Sequence, residues 1–362
     1  MEKVKQNRDK IAIIAPTSLK NVPYLQYYLN ILKDNRADYR ILSWNRMGLE
    51  EPEVDFSFNY YLPTSEKNKR LYGYIKYANA CKKYLKKEKF TKLIILTAAP
   101  AFFMGAGYLK RFSGNYILDI RDDTPIRRKL PKVFQKLCSM AGAVVVSSHK
   151  YSEWIPCETT LCHNVDIKQM EKYMGLPVRE QNDGPVRIVA AGMMREADIN
   201  IEMLRAVGKD SRFSFSYIGR TNEQKERIEA FAKEQELTSV TFEGTYNKED
   251  IVDIYREKAD LVNIIREKNT VNTEALPNKM YDAAVAGVPA VVFGHNEAVA
   301  DYVREYRLGL VVEENMPRLA DALDAQLKEF DYEAFGKGRE AFFQAVFRDM
   351  ECFSALVEQF IA

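Results

Sequence analysis

Short apolar runs rich in Val, Ile, Leu and Tyr alternate with amphipathic helical stretches along this 362-residue chain, in two series separated by a polar segment. Apolar runs joined by helix-length connections are the mark of parallel sheets covered by helices on both faces, because a parallel strand needs a long crossover to return. The first series predicts strands over Ile11–Ala15, Tyr39–Trp44, Lys92–Thr97, Asn115–Ile120 and Ala143–Ser147, with helices over Tyr24–Lys33, Lys67–Lys87, Ala101–Phe112 and Ile126–Ser139. The second predicts strands over Arg187–Ala191, Phe213–Gly219, Ser239–Glu243, Leu261–Ile265, Ala290–Phe293 and Leu310–Val312. The pattern calls for an α/β protein of two doubly wound domains, residues 1–170 and 171–340, with 341–362 forming a last apolar helix. The join falls between His163 and Pro185, and a chain of this length suits two cores better than one. Ligands of such sheets gather at the carboxyl ends of the strands.

Composition excludes several classes. Hydrophobic residues make up 46% of the chain, yet no apolar run reaches the roughly 18–20 residues that cross a bilayer. The start, MEKVKQNRDK, passes into a strand without a cleavage-like segment, so a cytoplasmic location is expected. Cys81, Cys138, Cys157, Cys162 and Cys352 are never spaced CxxC and read as reduced thiols. Cys157, Cys162 and His163 read as core or linker residues, and no metal site is expected. Charge divides unevenly: residues 1–170 carry 29 Lys+Arg against 16 Asp+Glu, and residues 171–362 carry 24 against 35. The basic half calls for an anionic partner. It carries no RNP, KH or zinc-finger signature, so nucleic acid is set aside in favour of an anionic membrane surface, the inner face of a plasma membrane. Residues 67–89, KNKRLYGYIKYANACKKYLKKEK, place Leu71, Ile75, Ala78 and Leu85 at helical spacing among lysines that face such a surface in this reading. The plain alternative is a solvated basic face.

The densest chemistry lies in residues 274–292, EALPNKMYDAAVAGVPAVV. Pro277 fits the first position of a helix that Gly287 ends. The positive end of that helix, at Asn278, with Lys279 in its first turn, is suited to a phosphate. Glu274 in the preceding loop and Asp282 on the helix accept hydrogen bonds only, which suits sugar hydroxyls. Gly192 and Arg195 follow one strand, Gly219 and Arg220 the next, and Gly244 and Tyr246 a third. In the first series, YILDIRDDTPIRR ends a strand with Asp119, Arg121, Asp122, Asp123 and Thr124 before Pro125 opens a helix. His149 follows another strand, and His295 opens the loop after the Gly-Pro strand. There is no GxGxxG, no Walker sequence and no hydrolase-like nucleophile arrangement.

An acid, seven residues and a second acid, followed by Ala, Gly and Pro, resembles the nucleotide-binding motif of GT-B glycosyltransferases, especially the retaining family 4 of bacterial surface-polysaccharide type. The resemblance implies two Rossmann-like domains facing a cleft, an acceptor-binding one first and a donor-binding one second, with the terminal helix crossing back to the first. It implies that Glu274 contacts the donor sugar and that Asp282, where the family usually has Glu, holds the ribose. Gly192 and Arg195 then match a diphosphate-binding turn whose lysine is missing from ADINIEML, a charge that Lys279 supplies from the other side. Gly219 and Arg220 border the phosphates, Gly244 and Tyr246 the base, and Pro277, Asn278 and Met280 complete the donor site. Asp119, Arg121, Asp122 and His149 fall on the acceptor side, the family's His-Asp pair matching Arg121 and Asp122. The catalytic set is Glu274, Asp122, Arg195 and Lys279. The implied activity is transfer from a UDP- or GDP-linked sugar, without a further cofactor, to a hydroxyl of a glycan or lipid-linked acceptor. The missing lysine supports the other reading, a catalytically silent homologue that serves as a partner subunit.

Overall fold

The computed structural model describes residues 9–49, 51–62, 69–180 and 184–362. Two compact units emerge: one takes the chain up to Asn164 together with Arg348–Ala362, the other Val165–Phe347.

The first unit is built on seven parallel strands: β1 (Lys10–Ala15), β2 (Asp38–Trp44), β3 (Phe56–Phe58), β4 (Lys92–Leu96), β5 (Tyr116–Ile120), β6 (Ala143–Val146) and β7 (Thr159–Leu161). Their order is β3-β2-β1-β4-β5-β6-β7. The middle strands, IAIIA, LIIL and YILDI, are buried on both faces, as expected of a parallel sheet covered twice. Ile13 lies opposite Ile41 on one side and Ile94 on the other. The second unit carries β8 (Val186–Ala191), β9 (Phe213–Ile218), β10 (Val240–Glu243), β11 (Leu261–Asn263), β12 (Ala290–Phe293) and β13 (Gly309–Val312), in the order β10-β9-β8-β11-β12-β13. Chain direction across each sheet reverses once, between β1 and β4 and between β8 and β11. Those crevices are where such folds take ligands.

Several local expectations need correction. β3 and β7 were not foreseen; each is a three-residue edge strand, too short to show a pattern. The helix expected over Ala101–Phe112 breaks at Gly105, whose φ of 80° leaves the helical region, into Ala98–Met104 and Ala106–Leu109. The one expected over Ile126–Ser139 is split by Pro131, which forces Leu130 out of helical geometry (φ −134°, ψ 55°). The basic helix runs Arg70–Glu88 and ends at Lys89 in left-handed geometry; Lys67 lies outside the described residues.

The final helix, Tyr332–Ile361, is 30 residues long. It begins in the second unit, and its last turns belong to the first. There Phe353 meets the Tyr28 ring edge-on at 5.0 Å, and Asp349 lies 2.9 Å from Nε2 of the buried His163. Among the described residues, no helix is long and apolar enough to cross a membrane, and no group of three or more His, Cys, Asp or Glu side chains is placed to hold a metal ion.

Candidate functional site

At the carboxyl edge of the second sheet, β8 and β9 run out into two glycines that touch. Gly192 has φ 103° and donates its N–H to Ile218 O at 2.9 Å. A Cβ added to Gly219 would stand 2.1 Å from Gly192 O, so only glycine fits there. A Cβ on Gly192 would lie 3.7 Å from the Tyr246 hydroxyl and 3.9 Å from Lys279 Cε. Tyr246 and Lys279, distant in sequence, therefore meet over the Gly192 turn. Beneath them Lys225, buried and unforeseen, donates to the carbonyls of Gly219 and Glu243 and ties the ends of β9 and β10 together.

The helix behind this turn is Asn278–Ala286. Pro277 is its N-cap and not its first residue, because ψ 146° is extended; its carbonyl accepts the Met280 N–H at 3.1 Å. Met280 is also corrected as a ligand contact. Its side chain is buried with Ala283 and Ala284, and its N–H is already bonded. Gly287, at φ 68°, ends the helix as expected. The carbonyls of the last turn are gripped from outside: the buried Arg339 donates to Ala284 O and Val285 O, and Arg256 donates to Ala286 O at 2.8 Å. Cations at this negative end are favourable and fix the helix from behind, leaving its other end to face the Gly192 turn. Glu274 is half-buried and closes the short helix Thr270–Glu274, where a loop was expected.

The charges at this edge are poorly balanced. Burial, then Arg266 and Arg195, pushes the half-buried Lys279 down to about 8. Burial pushes Asp282 up to about 6, against the pull of Lys248 and Lys279. Asp282 and Glu196 offset the two arginines only in part, and the positive charge left at this end of the helix is one that an anionic ligand relieves. Arg266 was missed in the sequence because no motif surrounds it. It follows β11, just across the β8/β11 switch from Gly192, and that position was the available signal. Its backbone is held on both sides: His295 Nε2 donates to Arg266 O at 2.9 Å, and Arg266 N–H donates to Asn296 Oδ1 at 3.3 Å. Its guanidinium lies 3.4 Å from Glu196. Glu196, in left-handed geometry at φ 58°, also accepts from the Asn272 side chain at 2.8 Å and the Glu267 N–H at 3.1 Å. His295, with Nδ1 3.1 Å from Glu314, serves as a support for Arg266. Arg195, Arg220 and Gly244 are exposed at the same edge, and Tyr246 is half-buried.

In the first unit the expected acceptor cluster separates into closed and open parts. Asp119 is fully buried; it accepts from Arg121 Nε at 2.6 Å, Arg121 Nη2 at 2.8 Å and the Tyr28 hydroxyl at 2.8 Å. Arg121 also donates to Cys162 O at 2.9 Å and lies over the Tyr24 ring at 4.4 Å. The pair is a saturated bidentate bridge, so Asp119 holds Arg121 and is no acceptor contact. Asp123 is buried against Arg127 at 2.9 Å and Arg128 at 3.3 Å, while Thr124 caps the helix at Pro125. Asp122 is exposed, and His149, half-buried, opens the short helix His149–Ser152. At the switch, Thr97 follows β4 with φ 69° and ψ 157°, a conformation rare for a β-branched residue.

Comparison with known proteins agrees with this architecture. Residues 185–329 match the family model described as glycosyl transferases group 1. Among curated proteins no sequence matches. The fold is similar to sucrose-phosphate synthase from Thermosynechococcus elongatus, with TM-score 0.64 and 16% identity over 97% of this chain and 99% of that one. It is similar to the lipopolysaccharide outer core galactosyltransferase WaaB, with TM-score 0.66 and 11% identity over 96% and 99%. It is also similar to the UDP-GlcNAc 2-epimerase of Methanocaldococcus jannaschii solved with UDP-GlcNAc and UDP, at TM-score 0.55 and 12% identity over 94% and 99%. Identities this low establish the fold, which is GT-B. With a glycosyl transferases group 1 domain on that fold, the chain is a glycosyltransferase.

Proposed function

We propose that the carboxyl edge of the second unit binds the diphosphate of a UDP- or GDP-linked sugar, and that the chain moves this sugar, with retention of configuration, to a hydroxyl of a glycan or lipid-linked acceptor in polysaccharide biosynthesis. The observation that carries the reading is the gathering of Lys279, Arg266 and Arg195 at the positive end of the Asn278–Ala286 helix. Negative charge grows on the departing diphosphate as the glycosidic bond breaks, and fixed cations there stabilise the transition state more than the ground state. Glu274 accepts from the sugar hydroxyls, Asp282 from the ribose, and Tyr246 borders the base. No protein nucleophile is assigned; the leaving phosphate takes the acceptor's proton. Asp122 and His149 stand on the acceptor side, while Arg121, expected there too, is taken up by Asp119 and Cys162. The silent-homologue reading loses its main support, because Lys279, lying over Gly192, brings the missing lysine's charge from the opposite side. A cytoplasmic location at an anionic membrane face fits the basic first half.

Titration of UDP and GDP into wild type and Asp282→Ala tests the donor site. Removing one charged hydrogen-bond partner lowers affinity about tenfold or more, and equal binding removes Asp282 from the site. Glu274→Ala is expected to lower transfer, or hydrolysis of the right donor from a panel of nucleotide sugars, with nucleoside diphosphate affinity unchanged. Turnover equal to wild type ends that role.

A further inference from the structure

Glu196 stands where its backbone favours another residue. It is the N-cap of the helix Ala197–Val207 and holds left-handed geometry, φ 58° and ψ 62°, which suits glycine and strains a longer side chain. An N-cap side chain ordinarily accepts a hydrogen bond from the first turn of its own helix. Among the described residues the Glu196 side chain makes no such bond; Gln224 takes over, accepting the Ala197 N–H at 3.0 Å. The carboxylate is used elsewhere.

Its partners stand 70 to 76 residues further along the chain, after β11 and across the β8/β11 switch. Oε2 accepts the Glu267 N–H at 3.1 Å; Oε1 accepts from Asn272 Nδ2 at 2.8 Å and from Arg266 Nη2 at 3.4 Å. Asn272 is 2% exposed, and its Nδ2 also donates to Glu267 O at 2.9 Å. It is the middle residue of the helix Thr270–Glu274, whose N-cap Asn269 accepts the Asn272 N–H at 2.9 Å. These five residues are therefore fastened at their centre, two residues before Glu274. One carboxylate joins the turn that follows β8, with Gly192 at its start, to the segment that follows β11 and carries Arg266 and Glu274.

We propose that Glu196 is a positioning residue of the donor site: it holds Arg266 and the Thr270–Glu274 helix at a set distance from the Gly192 turn, and so fixes where the sugar lies once the diphosphate is bound. The inference rests on the reading of this edge as the site of a nucleotide sugar. It carries a sign that plain structural support does not. Glu196 competes with a diphosphate for Arg266, so its removal does not weaken diphosphate binding. The loss falls on the sugar, whose contact Glu274 has lost its anchor, and small misplacements of a reacting group are costly in rate. A residue that only supports the fold would weaken both when removed.

The test uses the full-length protein. UDP and GDP affinities are measured by calorimetry, and kcat by nucleoside diphosphate release from UDP-glucose, UDP-galactose, UDP-N-acetylglucosamine and GDP-mannose. The main variant is Glu196→Gly, because glycine takes left-handed geometry without strain and the change deletes the carboxylate alone. Its matched control is Glu236→Gly, an exposed carboxylate of the same unit that is also left-handed, at φ 53°. Glu196→Gly is expected to lower kcat about tenfold or more with diphosphate affinity equal or higher, and Glu236→Gly to leave both unchanged. Asn272→Ala is expected to lower kcat as well, and the double variant Glu196→Gly, Asn272→Ala to lose less than the product of the two single losses, since one acts through the other. Thermal melts check the fold of each variant. Wild-type kcat in Glu196→Gly, diphosphate affinity that falls in step with kcat, a control that loses as much, or a double variant whose losses multiply overturns the inference. A wild type that binds UDP or GDP but releases nothing from the four sugars also overturns it and leaves the diphosphate reading standing. A wild type that binds neither nucleotide removes both.

Discussion

The carboxyl edges of the two sheets hold similar residue types in opposite electrical states. In the first unit the Asp119–Arg121 bridge is dry and saturated, with every carboxylate oxygen matched by a donor. In the second, Arg266 and Arg195 act against the charge on Lys279, Asp282 and Glu196 offset them only in part, and Glu196 is shared among Arg266, Asn272 and Glu267. A buried charge whose partners are complete serves the fold, since removing either partner leaves an expensive orphan. A buried lysine whose neighbouring cations outweigh its carboxylates opposes folding while it carries its proton. Reading polar clusters by what they lack, and not by how many polar residues they hold, separates the two edges.

The largest expected effect breaks the closed edge. Arg121→Met should destabilise the first unit by about 3–5 kcal/mol, because it leaves Asp119 buried without its counter-charge; urea unfolding measures this, and a midpoint equal to wild type would mean that the bridge is not structural. Next, Gly219→Ala, which drives a Cβ onto Gly192 O, should cost the second unit about 1–3 kcal/mol through backbone strain and lower UDP affinity with it.

Lys279→Met should behave in the opposite sense to Arg121→Met: UDP affinity falls about tenfold or more, while stability without ligand does not fall. The sign follows from the lysine's depressed value. Lys279 titrates at about 8 in the fold, below its ordinary 10.5, so carrying the proton opposes folding. That penalty is full below about 8 and fades as pH rises toward 10.5. Melts at neutral and alkaline pH should show wild type gaining on the variant across this window, and a constant gap would contradict it. The smallest effect concerns binding. UDP affinity should weaken above about 8 as Lys279 loses its proton, and below about 6 as Asp282 gains one. Asp282→Asn should flatten its share of the acid limb, as followed by titration calorimetry across pH.

Legibility in the sequence followed the range of the forces involved. The buried strands were readable because each is a continuous apolar run, as in Ile11–Ala15 and Leu93–Leu96, and burial acts locally on such runs. Gly287 was readable because a left-handed helix end requires its kind of residue. Pro131 was present to be read, yet the helical period of its surroundings obscured the break it makes. β3 and β7 depend on neighbours across the sheet more than on their own three residues. In the candidate site, Glu274, Lys279 and Asp282 came from one motif. Arg266, Glu196, Asn272 and Lys225 share no segment and are brought together by strand order. Met280 was misjudged on phase: it follows Lys279 by one residue and so turns about 100° away, into the core.

The last helix bears on how the chain is made. A ribosome completes residues up to Asn164 before it starts the second unit, but the first unit also contains Arg348–Ala362, which follow the whole of that second unit. Tyr28, whose hydroxyl donates to Asp119, therefore waits for Phe353, while the second unit, uninterrupted from Val165 to Phe347, has all its residues before Arg348 is added. The usual vectorial order, in which the earlier domain is finished first, is inverted for this pair: the first unit is sealed after the second, and a stop codon placed just after Phe347 would remove residues from the first unit while leaving the second entire.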